Sequence, residues 1–359
     1  GTPYMEKAPV PYPPVLHSLA SASTIAWLIH QKFELGIPLY RQEKEWEALG
    51  LCLSRATLSN WLLVVYRDWL IHIVHRLKQE LLKQRYLHID ETHVQVLKEP
   101  GRKNTSDSYM WVYCSIKDAV TPIRYFEYRP GRGGKYPEVF LKGYEGYIHT
   151  DAYSGYNAVS GVKRCLCYTH LRRAFVDALP KDIHTPEASK PAEAILRLNQ
   201  VFGIESELEA LSPDQKKKER LIREKPLLEA FWSWAEKSAI GELPKSKLSK
   251  AFHYALNNRE GFFHYLEDGN CSISNSLAEN CIRPFVIGRK NWLFSGSPKG
   301  AEASAGIYTL VETAKANGLA PMKYIKYILS DMPGSAFLEH PEYLDDYLPW
   351  NPLVKEFCR

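Results

Sequence analysis

Tyr86-Leu87-His88-Ile89-Asp90-Glu91-Thr92-His93-Val94-Gln95-Val96 alternates apolar and polar residues around a central acid. Leu87 and Ile89 on one face, with Val94 and Val96 on the other, give the two-residue period of a strand half or fully buried in a sheet. Asp90 interrupts that pattern. An ionised carboxylate on a buried strand is costly unless a partner or a metal compensates it. A strand-end turn, an ion pair with a nearby Arg or Lys, and a metal are the explanations this strand leaves open. Glu91 falls on the face opposite Asp90 and is expected to be dispensable for metal binding.

With 45% hydrophobic and 24% charged residues among 359, the composition is that of an ordinary globular protein. No apolar run reaches the length of a membrane span and no signal segment opens the chain, so a cytoplasmic protein without membrane partners is expected. The cysteines form no C-x-x-C pair, which argues for reduced thiols and against structural zinc; Cys165 and Cys167 read as small core residues. A net charge of +5 is too mild to prove a nucleic-acid partner. Its distribution is uneven: Arg283, Arg289, Lys290, Lys299, Lys315, Lys323 and Lys326 crowd one segment, and acids dominate from Asp331 onward. The chain opens Gly-Thr-Pro rather than with Met, which reads as a trimmed start.

Upstream of the strand, residues 1–16 form a proline-rich arm and 17–85 a helical region. Ser23-Thr24 is placed to cap its first helix. Within it, a helix over 43–49, a turn at Gly50 and a second helix over 55–65 fit a helix-turn-helix, or equally an ordinary helical hairpin. Arg55, Thr57, Ser59 and Asn60 are the groove-facing candidates on the first reading. Downstream come strands over 109–116 and 122–128, a short helix, strands over 146–151 and 164–168, and a helix over 171–179. That order resembles an RNase H-like mixed sheet, an α/β core whose first part spans 86–180. An all-helical insertion follows over 181–270, with Pro226 breaking its second helix. The second part of the core spans 271–330 and the acidic C-terminal tail 331–359. Pro284 is expected to kink or stop the helix around Glu279 near Arg283.

Asp90 and Asp151, the latter ending the fourth strand, fall on neighbouring strands in such a sheet. Two carboxylates at matching heights repel unless a divalent cation lies between them, and oxygen-only ligands favour Mg²⁺ or Mn²⁺. Glu279 is a third candidate ligand, although Ser276-x-x-Glu279 is also a capping-box pattern in which the carboxylate serves the helix start.

Several ordered blocks resemble the insertion sequence 66 family of transposases: His88-Ile89-Asp90-Glu91-Thr92, Thr150-Asp151-Ala152-Tyr153-Ser154-Gly155-Tyr156, Ala278-Glu279-Asn280-Cys281-Ile282-Arg283-Pro284, and Gly288-Arg289-Lys290-Asn291-Trp292-Leu293-Phe294. Similar likeness extends through Leu39-Tyr40-Arg41-Gln42-Glu43, Thr313-Ala314-Lys315-Ala316-Asn317-Gly318 and Leu348-Pro349-Trp350-Asn351. The resemblance implies an RNase H-like core with a DDE triad of Asp90, Asp151 and Glu279, interrupted by a helical insertion. It further implies two Mg²⁺ or Mn²⁺ ions, cleavage at the terminal inverted repeats of a bacterial element, and 3′-hydroxyl transfer into target DNA. A homodimer on DNA is the expected assembly. The Cys167-to-Arg173 block resembles a family block ending in His-x-Arg-Arg, so His170, Arg172 and Arg173 join Arg55, Asn60, Arg289, Lys290 and Trp292 as DNA-contact candidates. The chain departs from the family at Ser274-Asn275 and Asn280, and the family's coiled-coil and zinc-finger-like N-terminal parts have no counterpart in it. An RNase H-like nuclease without strand transfer and a domesticated DNA-binding protein are the alternatives.

Overall fold

A strand that carries an acid needs neighbours to satisfy its backbone, and here they come from both sides of it in sequence. In the computed structural model, which describes residues 12–180 and 189–359, the chain opens with helices α1 (Ala22–Ile29), α2 (Leu39–Ala48), α3 (Arg55–Val65) and α4 (Ile71–Leu81). Strands β1 (Tyr86–Val96), β2 (Asp107–Ser115) and β3 (Arg124–Arg129) follow, then α5 (Lys135–Phe140), β4 (Gly146–Thr150), β5 (Val162–Leu166) and α6 (Tyr168–Val176). Helices α7 (Lys190–Glu207), α8 (Pro213–Glu219), α9 (Lys225–Ala239), α10 (Lys247–Asn257) and α11 (Arg259–Phe263) come next. The chain closes with α12 (Ser276–Trp292), β6 (Phe294–Ser295), α13 (Pro298–Ala316), α14 (Pro321–Asp331) and α15 (Pro352–Cys358). The protein is therefore α/β, with a mixed sheet ordered β3-β2-β1-β4-β5 and β6 paired to β1. Residues 1–11 of the expected arm and 181–188 of the expected insertion lie outside the described residues. Among the described residues no helix is long and apolar enough to cross a membrane.

The backbone divides into two units, and β1 and α12 each run from one into the other. The first unit comprises Gln84–Asp90 and Gly133–Glu279. Here β1 pairs with β4, and β4 with β5, all parallel. Helix α6 lays Leu171 and Phe175 against a cluster built from α7, α9 and α10, in which Leu198, Phe231, Trp232 and Phe252 are buried. Edge-to-face ring contacts such as Phe231 on Trp232 (4.9 Å) fix their orientation. The helical stretch thus shares one core with α6. The expected break at Pro226 does not occur: the chain stays helical from α8 through a widened turn over Arg220–Glu224 into α9, where Pro226 is the second residue and needs no amide bond.

The second unit runs from the start of the described residues to Lys83, then Glu91–Arg132 and Asn280–Arg359. Antiparallel β2 and β3 pair from Tyr109↔Arg129 to Cys114↔Arg124. Helix α13 accepts hydrogen bonds from the open edge of β3, since Thr309 Oγ1 takes the Phe126 amide at 2.8 Å and Thr313 Oγ1 the Arg124 amide at 3.0 Å. That satisfies an edge that would otherwise be open to pairing. Ser21 caps α1 by accepting from the Thr24 amide at 3.1 Å, two residues ahead of the expected Ser23-Thr24 cap. Ser54 caps α3 by accepting from the Thr57 amide. Helix α12 does not stop near Arg283 but runs to Trp292 with Pro284 inside it. Proline there denies a bond to the Asn280 carbonyl, and Asn280 is exposed, so water can take its place. Residues 331–359 pack rather than trail: Val354 and Cys358 are buried, and the Cys358 carbonyl takes the Ala320 amide at 2.7 Å.

Candidate metal centre

The parallel register of β1 and β4 sets two of the three predicted acids opposite each other. Its last paired positions are His88↔His149, and two residues further along both chains stand Asp90 and Asp151. Strand parity puts each pair on one face, with Asp90 where β1 ceases to pair with β4 and Asp151 just past the end of β4. His88 and His149 are buried and stack with centroids 4.2 Å apart, whereas Asp90 and Asp151 are half-buried and reach solvent. His149 accepts the Ser272 amide on Nε2 at 2.9 Å, which leaves Nδ1 as the donor to the Leu87 carbonyl at 3.1 Å. A buried histidine thus braces each strand two residues before its acid.

After Asp151 the chain turns sharply, and Arg164 holds the turn. Its guanidinium donates to the Asp151 carbonyl (2.6 Å), the Tyr153 carbonyl (2.8 Å), Thr150 Oγ1 (2.7 Å) and Asn157 Oδ1 (2.6 Å). Asp151 Oδ1 accepts the Tyr153 amide at 2.9 Å, an Asx turn that fixes the carboxylate's direction. Nothing in the sequence around Arg164 announced this role, because every acceptor lies on the loop that precedes it.

Glu279 stands one turn inside α12. The helix start is tied to β1 by Asn275, which is buried, meets His88 Nδ1 through Oδ1 at 3.0 Å and donates through Nδ2 to the Ile89 carbonyl at 2.8 Å. The capping-box alternative is not realised. Ser276 is the first helical residue and bonds Ser274 Oγ, and Glu279 Oε1 is buried with no hydrogen-bond partner. His170, in the first turn of α6, places Nδ1 3.6 Å from that oxygen and is likewise buried at that atom without a partner. Arg173 Nη2 lies 3.7 Å from Glu279 Oε2. Glu279 Oε1, His170 Nδ1 and Cys167 Sγ come within 4.8 Å of one another, so the surroundings of Glu279 fit a metal ion. Burial pushes the Cys167 thiol up, which keeps it a neutral neighbour of the pair rather than a thiolate competitor. Arg172 turns away and donates to Asn199 Oδ1 at 2.7 Å.

A second group, His149, Cys165 and Cys271, brings its donor atoms within 4.8 Å of one another in the core. The Ser272 amide already occupies the imidazole lone pair, so the trio is a hydrogen-bonded part of the core.

The remaining predicted contacts belong to the other unit. Arg55 and Asn60 are exposed on α3, and the Arg55 amide donates to Glu43 Oε1 of α2 at 2.8 Å. Arg289 donates to Thr92 Oγ1 at 3.2 Å and to the His93 carbonyl, so its guanidinium holds the exit of β1, and burial lowers its pKa. Lys290 is exposed. Trp292 is half-buried, with Lys32 Nζ 5.7 Å from its ring centroid and Tyr308 beside it. Glu91, expected to be dispensable for metal binding, has a partner of its own. Its side chain is 1% exposed and pairs with Arg132 Nε at 2.6 Å, which assigns it a structural role.

Taken together these features define an α/β protein with half-buried carboxylates where its first and fourth strands cease to pair and on the helix tied to the first. The chain belongs to the Transposase IS66 family, whose match spans residues 17–303. It is similar to three uncharacterized proteins of Sinorhizobium fredii. Protein y4hP is 26% identical across 96% of this chain and 65% of its own length. Protein y4qI is 27% identical across 93% and 63%, and y4jD 28% identical across 96% and 68%. The chain thus spans about two-thirds of the length of these relatives. No solved structure matches it.

Proposed function

We propose that the protein is a DDE transposase that cuts DNA strands at the ends of its element and joins the freed 3′-hydroxyl to target DNA, on an RNase H-like core. The reading is supported by the register of β1 and β4, whose last pair, His88↔His149, comes two residues before Asp90 and Asp151, and by Glu279 Oε1, buried without a hydrogen bond on the helix tied to β1. Asp90, Asp151 and Glu279 are the ligands of a divalent pair, Mg²⁺ or Mn²⁺. Bound there, the ions would polarise the scissile phosphate and lower the pKa of the attacking water or 3′-hydroxyl.

The protein's own groups do the rest. The half-buried aspartates leave open positions for phosphate oxygens. His170 orients Glu279 from α6, and Arg173, more than half exposed beside it, is placed to take a non-bridging phosphate oxygen. Arg164 keeps Asp151 aimed by pinning the turn behind it. The exposed face of α3 with Arg55 and Asn60 reads DNA as the second helix of a helix-turn-helix, and exposed Lys290 adds a phosphate contact. A homodimer pairs two element ends.

The test uses the full-length protein and labelled duplexes carrying the element ends, with Mg²⁺ or Mn²⁺. Wild type is expected to give nicked and joined products, and Asp90→Asn, Asp151→Asn and Glu279→Gln to abolish both. Free ends without joined product would replace the transposase with a nuclease, and no metal-dependent cleavage at all would leave a DNA-binding protein.

A further inference from the structure

Arg220 is fully buried in the widened turn between α8 and α9. A guanidinium carries five N–H donors in a fixed fork, and here every one is used. Nε meets Glu205 Oε2 at 2.9 Å, and Nη2 meets Glu205 Oε1 at 2.5 Å and the Cys271 carbonyl at 2.9 Å. Nη1 meets the carbonyls of Tyr265 at 3.1 Å and Asp268 at 3.2 Å. The guanidinium carbon also lies 4.9 Å from the Tyr265 ring centroid. Three of the five bonds thus go to the backbone of one segment, 265–271, which leads out of the helical stretch towards α12. Buried Gly269 presses that segment against the start of α8 so closely that a Cβ there would lie 1.8 Å from the Pro213 carbonyl oxygen.

The same segment continues as a strip bonded to the groups behind the acids. The Ser272 amide goes to His149, the Ile273 carbonyl accepts from the Tyr168 amide at 3.1 Å, and the Asn275 amide goes to Cys167 Sγ at 3.1 Å. Asn275 then reaches His88 and Ile89, and Glu279 follows one turn later. Each link sits within a few residues of Asp90, Asp151 or His170.

We propose that Arg220 is a positioning residue for Glu279: its five-bond fork clamps segment 265–271 and thereby fixes the height at which α12 presents its carboxylate to Asp90 and Asp151. The proposal rests on the metal reading above. It gives the helical stretch a task in the reaction without contact to substrate. Lysine keeps the charge but has three donors on a single nitrogen and cannot reproduce the fork.

The test compares wild type, Arg220→Lys and Tyr265→Phe in the full-length protein below their melting temperatures. Tyr265→Phe removes only the 2.6 Å bond to Glu224 and keeps the carbonyl and the ring. Three quantities are read: Mn²⁺ affinity by electron paramagnetic resonance, hydrogen exchange across 272–279, and kcat against KM for DNA cleavage. Arg220→Lys is expected to weaken Mn²⁺ by about tenfold, to speed exchange in that segment and to lower kcat with KM unchanged. Tyr265→Phe is expected to match wild type in all three. Wild-type Mn²⁺ affinity and exchange in Arg220→Lys would overturn the proposal, as would equal losses in Tyr265→Phe. Should Arg220→Lys not fold, Glu205→Gln takes its place, with a smaller loss in the same direction supporting the proposal and none overturning it. An Asp90→Asn arm separates the two readings: unchanged Mn²⁺ affinity there would sink the metal site itself, whatever Arg220 does.

Discussion

Asp90 and Glu91 are adjacent carboxylates on one strand, and the structure predicts opposite consequences for neutralising them. Asp90 and Asp151 each follow the last paired positions of β1 and β4, His88 and His149, by two residues, and parallel strands are spaced about 4.8 Å apart. Two charges at that separation repel by about 1 kcal/mol at the dielectric of water and about 3.5 kcal/mol at an effective value of 20. Both side chains reach solvent, so the lower end applies. Asp90→Asn should relieve up to about 1 kcal/mol of that repulsion while removing Mn²⁺ binding and cleavage. Glu91 is buried against Arg132, whose side chain is 39% exposed. Breaking a buried pair from one side costs about 3–5 kcal/mol, and the partial exposure of Arg132 brings that to about 1–3 kcal/mol. Glu91→Gln should lose that much stability and keep both Mn²⁺ affinity and cleavage below its lowered melting temperature. Urea unfolding with and without Mn²⁺, plus a metal titration, reads both variants. Equal loss of metal affinity in the two would refute the strand register that separates them.

Two further outcomes follow from the helical stretch. Gly269→Ala forces a methyl into the Pro213 carbonyl, and since both are backbone-fixed the strain should cost about 2–3 kcal/mol in urea unfolding; a loss below about 0.5 kcal/mol would show that the segment yields easily. Burial, with the Glu205 charge nearby, raises Glu224 from its ordinary 4.5 to about 7. A carboxyl raised on folding holds its proton more tightly in the native state, so its ionisation opposes folding as pH climbs from about 4.5 to about 7 and levels off above. Wild type should thus lose stability across that window relative to Glu224→Gln, and parallel pH profiles for the two would contradict the shift.

The difference between Asp90 and Glu91 also marks where sequence reading stops. Alternation told which strand was buried and that Asp90 broke its pattern, and both are local properties of a dozen residues. The same periodicity located β2 to β5 to within a few residues and the helices of 190–267 in outline. The partners of the acids were beyond its reach, because Arg132, Arg164, Asn275 and Arg220 are joined to their acceptors by folding rather than by spacing. Asn275 illustrates this: read along the chain it was only a departure from a family pattern, yet its amide ties α12 to the two residues before Asp90. Pro284 errs the other way, since a local rule stopped a helix that tertiary packing carries on to Trp292. The acids could be named from the sequence because their cost is intrinsic to each residue, whereas the groups that aim them are specified by bonds between distant segments. A buried side chain with every donor engaged, as at Arg220, is therefore the place to look for what the acids need.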